Sequence, residues 1–108
     1  MSEGFSQTPM GFHMNFPNGW TASVQFGTHN YCSNYMKEEN KLHKLNSTTA
    51  EIAAFPTDKN FDQDWWTEFD DGQVVKGWCD VTEVLEFLNN VSKYGNFIDC
   101  HPIYSEEN

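Results

Sequence analysis

Arginine is missing altogether from this chain: its six basic residues are all lysines, set against 16 Asp and Glu. A net charge of -10 argues against bare nucleic acid as a ligand, because phosphate binding draws its affinity from Lys and Arg contacts that release counterions. The planar bidentate fork that reads guanine and phosphate is absent. An anionic membrane surface is disfavoured on the same ground. The partner left open is a basic protein, or the basic groove in which another protein holds nucleic acid.

Long apolar runs are also lacking. No stretch approaches the roughly 20 residues of a membrane span, and Met1 to Met10 show neither the basic nor the apolar region of a signal peptide. Only three cysteines occur, Cys32, Cys79 and Cys100, odd in number and scattered. Reduced thiols in a cytoplasmic protein are therefore expected.

Aromatics, by contrast, make up 16% of the 108 residues. They bury large areas per residue, and disordered acidic chains are poor in them. One folded domain is expected, too short for two cores. Residues 1–10 show no period and read as a flexible arm, residues 11–104 as the domain, and 105–108 as a frayed end. The strongest local signal is Phe12-His-Met-Asn-Phe16, Pro17-Asn18-Gly19, then Trp20-Thr-Ala-Ser-Val-Gln-Phe26. A loop of Pro17, Asn18 and Gly19 would pair Phe16 with Trp20, Met14 with Ala22 and Phe12 with Val24, all on one face. Residues 28–47 leave two readings open, a weak helix from Tyr35 to Leu45 capped by Ser33 or a mobile loop.

Thr48 to Phe55 reads as a strand ended by Pro56. Asp64 to Phe69 and Gln73 to Trp78 read as a second hairpin around Asp71-Gly72, with Phe69 opposite Val74 and Trp65 opposite Trp78. The alternative loop through Asp70, pairing Phe69 with Gln73, ranks lower. Asp80 stands three residues before Glu83, a capping-box spacing. Val81, Val84, Leu85, Leu88 and Val91 then form a helical stripe stopped by Gly95. Phe97-Ile98 is a candidate edge strand. The resulting expectation is an α+β domain, a single antiparallel β-sheet of about five strands packed by one C-terminal α-helix.

Charge is unevenly spread. Residues 1–57 carry net -1 and residues 58–108 net -9. The stretches Asn18-Gly-Trp-Thr-Ala-Ser-Val-Gln-Phe-Gly27, Asn30-Tyr-Cys-Ser-Asn34, Thr49-Ala-Glu-Ile-Ala-Ala54, Val75-Lys-Gly-Trp-Cys79 and Glu83-Val-Leu-Glu-Phe-Leu88 resemble small bacteriophage proteins, those of cyanophages included. The resemblance spans about residues 12–93 and implies a phage accessory protein acting in a bacterial cytoplasm. It carries no catalytic motif.

Candidate chemistry is sparse. Asp58, Asn60, Asp62 and Asp64 alternate like the start of a calcium loop, but Gln63 and Phe69 stand where that loop needs glycine and glutamate. His29-x-x-Cys32, Cys79 and Cys100-His101 lack the paired short spacings of structural zinc sites. Cys79 precedes a helix start, where a thiol pKa is lowered, but no histidine is near it in sequence. The expectation is a domain with no metal, cofactor or catalytic residue. It binds a basic host protein, or mimics nucleic acid in a basic groove, through Asp62, Asp64, Glu68, Asp70 and Asp71. Strand alternation places Trp65 inward and Trp66 outward, making Trp66 the interface anchor. A tryptophan lying over the second face of its own sheet is the competing role for that residue. The other class in contention is a small enzyme or ligand-binding protein whose site forms only in the fold.

Overall fold

The computed structural model describes residues 3–36, 46–59 and 62–95. The alternating runs around Pro17-Asn18-Gly19 form strands β2 (Gly11–Asn15) and β3 (Trp20–Gln25). Phe12 lies opposite Val24 and Met14 opposite Ala22, the register that puts the apolar set on one face. At the tip, Phe16 N–H donates to Trp20 O at 2.8 Å and Gly19 N–H to Phe16 O at 3.0 Å. Gly19 has φ +87°, a left-handed geometry that an L side chain adopts only at a cost of about 1–2 kcal/mol.

Residues Gly4–Thr8, expected in the arm, instead form edge strand β1, paired with β2 from Gly4↔Asn15 to Thr8↔Gly11. One apolar side chain in five gives no period to read; backbone pairing and the Thr8 hydroxyl, which donates to Gln25 Oε1 at 2.9 Å, hold this strand. Strand β4 (Ala50–Pro56) pairs with β3, and β5 (Lys76–Cys79) with β4. The antiparallel sheet has the order β1-β2-β3-β4-β5.

The second hairpin departs from expectation. Asp64 to Phe69 is not a strand: Gln63–Trp65 makes a single 3-10 turn started by Asp62, whose carboxylate accepts from Asp64 N–H at 3.1 Å. An aspartate that bonds its own backbone two residues on competes with extended structure. The loop around Asp71-Gly72 takes the lower-ranked form, with Phe69 N–H donating to Gln73 O at 2.9 Å and Gly72 N–H to Phe69 O at 2.8 Å. This repeats the bonding pattern of the first turn, with Gly72 at φ +82°. Thr67 N–H donates to Ala54 O at 3.0 Å, so Thr67 and β5 share the outer edge of β4.

Helix α1 (Val81–Tyr94) is opened by the complete capping box of Asp80 and Glu83 and closed by Gly95. The face it lays on the sheet is Val84, Phe87, Leu88 and Val91, against Ala22, Val24, Ile52, Ala54 and Phe69. Burying Phe87 and Val91 stabilises by about 1.5–3 kcal/mol each. The contact face is rotated toward Phe87 relative to the expected stripe, leaving Val81 77% and Leu85 59% exposed on its flank. Asn18 in the β2–β3 turn ties the far end of the helix, its amide donating to Val91 O at 2.9 Å and Ser92 O at 3.2 Å. The Tyr35–Leu45 alternatives fall mostly, and Phe97-Ile98 and the frayed end wholly, outside the described residues.

Candidate functional site

Between β4 and β5 the chain makes one acidic excursion. Asp62 and Asp64 lie at the 3-10 turn, Glu68 follows it, and Asp70 and Asp71 form the glycine turn; all five are exposed. Local backbone geometry holds the two ends in shape, since Asp71 Oδ1 accepts from Gln73 N–H at 3.0 Å. Asp80 and Glu83, by contrast, are engaged in capping α1.

The tryptophans exchange their expected roles. Trp66 is half-buried, its ring stacked on Phe55 at 4.8 Å and 27°, so it covers the second face of the sheet. Trp65 is 54% exposed beside Asp64, with Lys59 Nζ 4.8 Å from its ring centroid. Strand alternation does not govern this pair because the turn begun at Asp62 rotates both side chains. Phe55, the large apolar side chain of the second face, is 2% exposed and takes Trp66 as its cover. The expected Trp65–Trp78 pair does not form. Trp78 instead stacks on Tyr31 at 5.6 Å and 21°, with Tyr35 edge-on to it at 6.2 Å. Its backbone is left-handed, φ +52°, at the irregularity where Ala50↔Cys79 and Ile52↔Lys76 frame the β4–β5 register shift. Trp78 N–H donates to Tyr31 O at 2.8 Å.

On the second face, side chains from three adjacent strands and the Trp66 turn line a cleft of about 470 Å³. His13, Ser23, Gln25 and Glu51 form its polar side, Phe55 and Trp66 an aromatic wall. Gln25 is fixed, accepting from Thr8 Oγ1 and donating to Ser23 Oγ at 3.1 Å. Glu51 accepts from Asn30 Nδ2 at 3.2 Å and from Tyr31 N–H at 3.4 Å. The His13 ring sits edge-on to Phe55 at 5.5 Å, and burial holds its pKa below the ordinary 6.5. Only the alternation of His13 and Ser23 on the polar face of the first hairpin marked these positions in the sequence; the Gln25–Glu51 side depends on strand order, which one sequence does not show.

No family model, curated protein or solved structure matches this chain. Among the described residues no three His, Cys, Asp or Glu side chains come together as a metal site, and no helix is long and apolar enough to cross a membrane. Cys32 and Cys79 are buried; the first thiol donates to Gly27 O at 3.4 Å and the second to Gly77 O at 3.6 Å. Cys100-His101 lies outside the described residues.

Proposed function

We propose that this chain is a small acidic, non-enzymatic binding protein that engages a basic protein surface through the excursion between β4 and β5. The observation that carries this reading is the exposure of Asp62, Asp64, Glu68, Asp70 and Asp71 on one short segment around the exposed Trp65. Carboxylates that stay in water on folding avoid the cost of desolvation and raise the local negative potential, which speeds encounter with a positive partner. A tryptophan among them adds apolar area of the kind that anchors interfaces, and Trp65 takes the role assigned from sequence to Trp66. The resemblance to phage accessory proteins makes a basic host protein, or its nucleic-acid groove, the partner of this reading.

The test replaces all five carboxylates by their amides and, separately, Trp65 by Ala. Partners captured from a bacterial lysate are identified, purified and measured by stopped flow at several salt concentrations. The amide variant should associate about tenfold more slowly than wild type at low salt. The difference should shrink as salt screens charges beyond about 10 Å at 0.1 M. Trp65→Ala should instead speed dissociation. A complex indifferent to salt and to all five amides would refute the acidic surface as the binding determinant.

A further inference from the structure

We infer that the cleft on the second face of the sheet is a binding site for a small planar aromatic amine, with the ring against Trp66 and the ammonium at Glu51. Three features of the cleft converge on that chemistry. Its volume, about 470 Å³, lies in the range of small-molecule sites, roughly 300–1,000 Å³. Its wall offers the ring of half-buried Trp66, stacked on its other side against buried Phe55, and flat ligands add to such stacks. Glu51 is its one charged lining side chain among the described residues. Among the described residues no lysine lines the cleft, and the chain has no arginine, so the only formal charge facing a ligand there is negative.

Spare hydrogen-bonding capacity points the same way. A carboxylate has about four acceptor positions, and among the described residues Glu51 engages two donors, one at the long distance of 3.4 Å. Among the described residues, neither the His13 imidazole nor the Ser23 hydroxyl proton has a hydrogen-bond partner. Polar groups left open beside an aromatic wall are what a ligand with one polar end and one flat end would satisfy. This site is separate from the acidic excursion and stands whether or not that surface binds a protein.

Tryptamine and indole-3-acetate share a ring and differ in the sign of their charge, which makes them the probes. The full chain, labelled with 15N, is titrated with each and followed by two-dimensional NMR. Tryptamine should move the Trp66 indole and the Ser23 and Ala53 amides saturably, with the roughly millimolar affinity set by ligand efficiency for a molecule this small. Indole-3-acetate should bind about tenfold or more weakly. Glu51→Gln, which keeps the side-chain volume, should weaken tryptamine by about tenfold, whereas Glu86→Gln on the exposed helix surface should not. Trp66→Ala should abolish the shifts; if it fails to fold, Glu51→Gln decides. Equal response to both probes, unchanged binding in Glu51→Gln, shifts centred on Leu85 instead of Trp66, or none up to about 10 mM would each overturn the assignment.

Discussion

Replacing Asn18 by Asp separates two tasks performed by one side chain. Its Oδ1 accepts from Trp20 N–H at 3.0 Å, shaping the turn, while its Nδ2 donates to Val91 O and Ser92 O at the end of α1. Asp keeps the first bond and cannot make the second pair when ionised. Val91 O also accepts from Gly95 N–H at 3.0 Å, so that carbonyl keeps a partner. The lost donors are worth about 0.5–1.5 kcal/mol net. A carboxylate beside the negative end of the helix dipole adds about 0.3–1 kcal/mol of repulsion. Destabilisation of about 1.5 kcal/mol follows from these two effects, or a fall in Tm of roughly 6–12 °C for a domain of this size. Urea denaturation of wild type, Asn18→Asp and Asn18→Ala, monitored by circular dichroism, measures it. Added salt should recover the dipole part only. An Asn18→Asp protein within about 0.3 kcal/mol of wild type would show that the turn does not hold the helix.

Two other perturbations probe the faces of the sheet. Because burial lowers the pKa of His13, the unfolded chain takes up its proton first. The stability linked to His13 is whole above the unfolded value near 6.5 and is lost as pH falls below it toward the folded value. Urea midpoints compared at about pH 7.5 and 5.5 should therefore fall less in His13→Gln than in wild type; equal falls would exclude His13 as a contributor. At Gly77 a Cβ would lie 2.5 Å from Tyr31 Cβ and 2.7 Å from Tyr31 O, so Gly77→Ala must push the 30–36 segment off β5. It should cost about 1–3 kcal/mol and reduce the near-ultraviolet dichroism of the Tyr31–Trp78 stack.

What could be read in advance followed local chemistry. The Phe16–Trp20 register, the Asp80–Glu83 cap and the α+β class rest on period and on turn residues, and the structure has them. The second hairpin was misjudged where a local signal competed with another: the Asp62 side chain starts a 3-10 turn that a run of β-formers, Trp65 to Phe69, conceals. Strand β1 escaped notice because an edge strand is held by its neighbour's backbone and not by a buried pattern. The acidic carboxylates were visible as composition, but which tryptophan stands among them depended on whether the segment was a strand. The cleft needed β4 beside β3, a pairing across residues 26–49 that local periodicity does not encode.

The strand order along the sheet is the order along the chain. Every pairing therefore joins sequence neighbours, and the β1–β2 and β2–β3 turns close within a few residues. A nascent chain could assemble β1, β2 and β3 before β4 has been made. The slow step of folding should then be the docking of β4, which closes the 26–49 connection and gives α1 its second supporting strand. Thr28, Cys32 and Asn34 within that connection are buried and Tyr31 carries Trp78, so the step that seats β4 also builds the surface on which β5 comes to rest.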